Sequence, residues 1–189
     1  MPADRVAPEL SEAAFERAAL GYLERYSASR AQVARVLERR ILRAARAGTE
    51  PDRGAARAAI GRVLDRLAAR GLLDDARFAA GRALSLGRAG RSRRAIADRL
   101  RAKGVAPAAI EAALAGLDEE RPEGDRAAAI ALARRRRLGP FRAPAQRVER
   151  RQRDIAALAR AGFALALARR VIEAESVAAL EAWAAEEAG

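Results

Sequence analysis

The chain contains no cysteine and no histidine. Disulfides, zinc clusters built on these side chains, thiol nucleophiles and imidazole acid–base chemistry are therefore excluded. Lysine occurs once, at Lys103, and tryptophan once, at Trp183. Aromatic residues make up only 4% of the sequence, β-branched residues are sparse, and no segment alternates apolar with polar residues. A thick aromatic core and a β-sheet are both disfavoured. No run approaches the roughly 20 uncharged apolar residues of a membrane-spanning helix. Asp4, Glu9, Glu12 and Glu16 stand where a signal peptide would be apolar. A soluble, cytoplasmic chain with no membrane association is expected.

What the sequence holds in abundance is alanine and arginine. Among 189 residues, 37 are Lys or Arg and 25 are Asp or Glu, a formal net charge of +12. A balance this basic favours a polyanionic partner: nucleic acid, a nucleoprotein or an acidic membrane surface. Part of the arginine content suits a GC-rich genome. The excess positive charge must still face something, and Arg is the better bidentate partner for phosphate. Hydrophobic residues reach 51%, largely through alanine, so the chain reads as almost wholly α-helical.

Apolar spacing marks the helices. Phe15, Ala18, Ala19, Tyr22, Leu23 and Tyr26 share the first face. Ser29 opens the second helix with the spacing of a capping box, Gln32 in third place, and Val33, Val36, Leu37 and Ile41 form its stripe. A third helix buries Ile60, Val63, Leu64 and Leu67 and closes at Gly71, with Leu72 placed to cover its end. Asp74 or Asp75 caps a fourth helix that points Phe78, Ala79, Ala83 and Leu86 inward. Ser92 caps a fifth, with Ile96 and Leu100 inside, and Pro107 starts a sixth around Ile110, Ala113, Leu114 and Leu117. After the linker "DEERPEGD", a seventh helix turns Ile130, Ala131 and Leu138 inward. An eighth buries Val148, Ile155 and Leu158, and a ninth uses Leu167 and Val171.

Helices end in "ARAG" at Gly48, "RAKG" at Gly104 and "ARAG" at Gly162, intervals of 56 and 58 residues. Each interval holds about three helices. This predicts an all-α fold of tandem three-helix repeats. The boundaries are a disordered N-terminus at 1–10, repeats at 11–72, 73–120 and 121–175, and an acidic tail helix at 176–189. The first repeat carries an insertion or a longer second helix.

Two basic constellations stand out. The fifth helix carries Arg93, Arg94, Arg99, Arg101 and Lys103 outside its apolar stripe, with Arg91 before the cap and only Asp98 in opposition. It offers base edges almost nothing but Arg, so contact to phosphates, independent of sequence, is expected. The third repeat holds Arg134, Arg135, Arg136 and Arg137 in one run, joined by Arg142, Arg147, Arg150 and Arg151. Arg134 falls on the inward stripe with Ile130 and Leu138, so it must snorkel or meet a partner. Phe141 reads as a core plug ahead of a stacking platform. Asp74 and Asp75 read as caps ahead of a metal pair. The glutamates at 173, 175, 181, 186 and 187 either fold back on the basic repeats or belong to a solvated tail, the reading adopted. No catalytic set, phosphate loop or cofactor motif is found.

The segments "AALGYLERYSASRAQVARVLERR" and "GLLDDARFAAGRALSLGRAGRSRRAIADRLRAKGV", with the helix–Gly–Phe pattern near 162, resemble the RecX family, regulators of the RecA recombinase. The specific part is "LLDDxRFA" followed by "GRS…I…LxxKGV". The resemblance covers about residues 14 to 175 and weakens in the third repeat. It implies tandem three-helix repeats in an elongated, curved array that binds the RecA filament on single-stranded DNA. It further implies inhibition of strand exchange, ATP hydrolysis and coprotease activity, with weak sequence-independent DNA binding. By the same resemblance Leu72, Asp74, Asp75, Arg77 and Phe78 form a signature at the junction between repeats. Arg91, Arg93, Arg94 and Lys103 match the basic helix of the second.

A non-enzymatic, monomeric regulator without cofactor or metal is therefore expected. The rivals are a transcriptional regulator with a helix-turn-helix at 76–103 and an RNA-binding or ribosome-associated protein.

Overall fold

The computed structural model describes residues 9–120 and 124–185. Pro122 of the charged linker, Glu186, Glu187 and most of the expected disordered N-terminus lie outside the described residues. Within them the chain forms ten α-helices and no strand. These are α1 (Glu12–Leu23), α2 (Arg30–Arg46), α3 (Arg53–Ala69), α4 (Asp75–Arg88), α5 (Arg93–Ala102) and α6 (Pro107–Glu120). They are followed by α7 (Gly124–Arg136), α8 (Pro144–Arg160), α9 (Leu165–Ile172) and α10 (Val177–Ala185), with a 3-10 turn at Gly139–Phe141. Backbone packing groups the chain into two compact units. The first takes residues up to Ala79 together with Arg101–Ala109, and the second takes Ala80–Leu100 with everything from Ile110 onward.

The helix starts follow local capping chemistry. Ser29 accepts from Gln32 N–H at 3.2 Å while Gln32 Oε1 accepts from Ser29 N–H at 3.4 Å, a closed capping box. Ser11, Asp52 and Ser92 each accept from the backbone three residues on. The two neighbouring aspartates divide their work. Asp74 caps α4, accepting from Arg77 N–H at 2.8 Å. Asp75 reaches across to accept from Arg30 N–H at 2.7 Å, capping α2.

In the first unit α1, α2 and α3 enclose Phe15, Val33, Leu37, Val63 and Leu67. Burial of each such side chain is worth about 1.5–3 kcal/mol. Three expectations fail here. Tyr26 lies beyond the end of α1 and is exposed, because the helix stops at Leu23. Val36 is only half-buried. Leu72 is 43% exposed, and Leu73 is the residue that covers the end of α3. Gly71 takes a left-handed φ of 69°, and Leu72 N–H donates to Leu67 O at 2.9 Å. The chain thereby turns one residue further before its apolar side chain comes home.

The second unit builds its main core from Ala128, Ala129, Leu132, Ala133, Leu138, Ile155, Leu158, Phe163, Val171 and Leu180. Here Ala131 is exposed, against expectation, and Arg134 is exposed while meeting Glu181 and Phe141. The reason is that α7 ends at Arg136 and Arg137 adopts a φ of 52°. Leu138 therefore lies off the helix, and the spacing that joined Ile130, Arg134 and Leu138 into one stripe does not apply. Val148 is 88% exposed although it shares a side of α8 with Ile155, because the buried residues of this helix begin only at Asp154, two turns further on. Phe141 packs against the core. The tail helix is not solvated: Leu180 is 1% exposed and Trp183 packs on the same core.

One joint occurs twice. In the first unit Ser29 Oγ donates to Lys103 O at 2.6 Å, Asp75 caps Arg30, and Gly104 presses on Ala31 so closely that a Cβ would overlap it. In the second unit Ser92 N–H donates to Ala161 O at 3.2 Å, Asp125 caps Arg93 at 2.9 Å, and Gly162 presses on Ser92 and Ala95. Each joint seats the end of one repeat's second helix on the start of the preceding repeat's second helix. Gly104 and Gly162 recur in the sequence because both are joint residues.

Candidate functional site

The arginines predicted to meet a polyanion fall into two groups, those already employed inside the molecule and those that are not. On α5, Arg93 is employed. Its guanidinium pairs with Asp118, donates to Leu114 O at 3.3 Å, and lies 3.8 Å from Glu111. Arg91 donates to Arg160 O at 3.2 Å. Arg94 is 83% exposed, with Asp98 3.9 Å away, and Arg99 is exposed. Arg101 is exposed, and Lys103 is half-buried with its carbonyl held by Ser29.

The third repeat is the most arginine-dense region and the most committed. Arg134 pairs with Glu181 of α10 and lies over Phe141, 5.4 Å from its ring centre. Arg135 donates to Ala89 O at 3.0 Å and covers Gly90. Arg142 grips Asp154 bidentately, Nε to Oδ2 at 3.1 Å and Nη2 to Oδ1 at 3.0 Å. Asp154 is 3% exposed and also accepts from Gly139 N–H at 2.9 Å, so its charge is fully compensated. Arg147 donates to three carbonyls, of Pro140, Arg142 and Glu175, at 2.8–3.1 Å. Arg150 lies 3.4 Å from Glu149 and Arg151 pairs with Glu173. Arg136, Arg137 and Arg153 are exposed without such partners among the described residues.

Composition could not reveal a third region. On α2, Arg39, Arg43 and Arg46 are exposed, and none has an ion-pair or hydrogen-bond partner for its side chain among the described residues. The only sequence signal was the near absence of carboxylates on that helix, where Glu38 stands alone against six arginines. On α3 the pattern is reversed. Arg62 and Arg66 pair with Glu12 at 2.6 and 2.7 Å, and Arg70 pairs with Glu16 at 2.9 Å. The hydrogen bonds from Arg62 and then Arg66 hold the Glu12 carboxyl below its ordinary value, and Glu12 in turn raises Arg66.

No three His, Cys, Asp or Glu side chains gather as a metal site among the described residues. An open cleft of 430 Å³ in the first unit is lined by Leu20, Leu23, Leu72 and Phe78 together with the charged Glu24, Asp74 and Arg77. No described helix is long and apolar enough to cross a membrane. What the surface can do chemically is hold anions.

Comparison with known proteins decides the family. The regulatory protein RecX of Myxococcus xanthus is 44% identical over 167 residues, which span 87% of each chain. This chain belongs to the RecX family. The RecX protein of Mycobacterium ulcerans is 43% identical over 157 residues, covering 79% of this chain and 88% of that one. That of Mycobacterium tuberculosis is 39% identical over 160 residues, covering 84% and 91%. The family model for the second three-helix domain of RecX matches residues 74–114. This stretch begins at Asp74 and takes in α4, α5 and the start of α6. A RecX crystal structure shares the fold, with a TM-score of 0.57, 22% identity, and coverage of 85% of this chain and 70% of that one. The chain is thus an all-helical member of a family of RecX regulatory proteins.

Proposed function

We propose that this chain binds the RecA–DNA filament and restrains RecA recombinase, ATPase and coprotease activity, tempering recombinational repair and the SOS response. It acts in the cytoplasm as a non-enzymatic monomer made of three-helix repeats at 11–72, 73–120 and 121–175. The observation that carries this reading is the 44% identity to a RecX regulatory protein across 87% of the chain. Exposed, unpartnered guanidiniums on α2 and on the last turn of α7 supply the charge that a nucleoprotein surface needs. Several weak contacts on one chain add by avidity, because each later contact is intramolecular. A base-reading role for 76–103 is less well supported, since Arg93 is committed to α6 and α5 offers no amide or hydroxyl side chain.

The test is titration of the protein into RecA hydrolysing ATP on single-stranded DNA. Hydrolysis is expected to fall as protein is added and to recover with rising salt. An unchanged rate at low ionic strength refutes the proposal. Arg136→Glu with Arg137→Glu is the informative third-repeat variant, because Arg134 and Arg135 also hold structure together.

A further inference from the structure

The outward side of α2 carries Arg39, Arg43 and Arg46 exposed and without partners among the described residues. Val33, Leu37, Ile41 and Ala44 turn inward. Arg35, Arg39, Leu42 and Arg46 follow one another on the other side at steps of four, three and four residues, with Arg43 alongside, and all five are exposed. Arg35 donates to Lys103 O at 3.3 Å, and Ser29 Oγ donates to that same carbonyl, so Lys103 is anchored beside the start of the row. The backbone of the chain's only lysine thus meets α2 at Arg35, the start of the row. Glu38 is the sole carboxylate of α2, and it pairs with none of these arginines. Like charges four residues apart repel and weaken an isolated helix. A row of them is maintained at a cost that a bound polyanion removes.

We propose that Lys103, Arg35, Arg39, Arg43 and Arg46 bind the sugar-phosphate backbone of a single nucleic-acid strand, without regard to base sequence. Cations four residues apart on a helix lie about 6 Å apart along its axis, a regular ladder suited to a regularly charged polymer. Guanidiniums offer phosphate two parallel hydrogen bonds each. Base reading needs amide or hydroxyl side chains, and the nearest, Ser29 and Gln32, are closed in their capping box. A protein partner would need a buried apolar or aromatic anchor, and the row offers only Leu42. This inference deepens the proposed function by naming a contact surface, but its test requires no recombinase.

The test is fluorescence anisotropy of a labelled oligothymidylate with the full chain. The variant is Arg39→Glu/Arg43→Glu/Arg46→Glu, and the charge-matched control is Arg82→Glu/Arg160→Glu/Arg169→Glu. Circular dichroism verifies folding, and the corresponding Gln triple replaces the Glu triple if helicity drops. The α2 triple is expected to weaken binding about tenfold or more at low salt and to flatten the salt slope by about two, the value for three lost single-strand contacts. The control is expected to lose under about threefold. Equal losses in both variants would reduce the effect to net charge and overturn the site. Unchanged oligonucleotide binding with lost filament inhibition would also overturn it, and would assign α2 to an acidic protein surface. Oligonucleotide binding that is lost only in the α2 triple, from a protein that fails to slow RecA, would uphold the site and refute the proposed function alone.

Discussion

The helices α2 and α8 are written in nearly the same alphabet and do opposite things. Both are 17 residues long, both are arginine-rich, and both run into "ARAG". On α8, Arg147 is bound to three carbonyls and Arg151 to Glu173, Asp154 anchors Arg142, and the closing Gly162 is wedged against Ser92 and Ala95. On α2, Arg39, Arg43 and Arg46 are unpartnered, and nothing lies within 4 Å of where a Cβ on the closing Gly48 would sit. The difference is one of surroundings. The cations of α8 are absorbed by the turn before it, through the carbonyls of Pro140 and Arg142, and by the connection after α9, through Glu173 and the carbonyl of Glu175. Around α2, no described residue packs on Gly48 or pairs with Arg39, Arg43 or Arg46. Arginine density therefore measures demand for internal anions as much as supply of external charge.

The sharpest way to break this contrast is to remove an anion from the third repeat. Asp154→Ala should cost about 3–5 kcal/mol by urea denaturation, because Arg142 is left without its carboxylate in a largely buried setting. A loss below about 1 kcal/mol would mean that the third repeat's arginines are not committed after all. Next come the two glycines. Gly162→Ala combines a left-handed φ of 98° with overlap on Ser92 and Ala95, about 3 kcal/mol in all. Gly48→Ala meets open space and keeps only the backbone term, about 1 kcal/mol. Equal melting temperatures for the two variants would remove the contrast in surroundings.

A smaller effect belongs to α3. The Glu12 carboxyl is held below its ordinary value of 4.5 by Arg62 and Arg66, so the folded state keeps its proton off more readily than the unfolded chain. The resulting stabilisation is present above that ordinary value and is lost as pH falls through the depressed folded value. Thermal melts across this range should show wild type losing its margin over Glu12→Gln as acid is added. Parallel curves would contradict the assignment. Smallest of all is α2 itself. Replacing Arg39, Arg43 or Arg46 with Ala should shift stability by no more than about 0.5 kcal/mol each, and a larger loss would reveal an internal partner.

Much of the fold was legible because helices are specified locally. Ser29 with Gln32, Asp74 three residues before Arg77, and the stripe Ile60–Val63–Leu64–Leu67 each determine their own surroundings. Several errors share a cause: a helical face shifts by about 100° with every residue. Once the left-handed Arg137 ends α7 early, Leu138 no longer reports on Arg134. The exchange of Leu72 for Leu73 is a shift of one residue, whereas Val148 has the right side of α8 and lies beyond the reach of the core. The candidate site was less legible than the fold. Whether an arginine is free depends on carboxylates and carbonyls brought in from distant sequence, as when Glu181 reaches Arg134 and Glu175 O reaches Arg147. No local pattern carries that information. The richest basic run holds most of its arginines inside the molecule, whereas Arg39, Arg43 and Arg46 are free on a helix whose pattern speaks only of its core.

The lone indole of Trp183 lies between two guanidiniums, 4.5 Å from Arg126 and 4.6 Å from Arg170. Its ultraviolet emission therefore belongs to a single place in the molecule, the seat of the last helix. Any event that lifts α10 away, whether heat, salt or a ligand competing for those cations, exposes the ring to water and changes the colour and polarisation of that light. The chain carries its own unlabelled gauge of whether its C-terminal end is fastened.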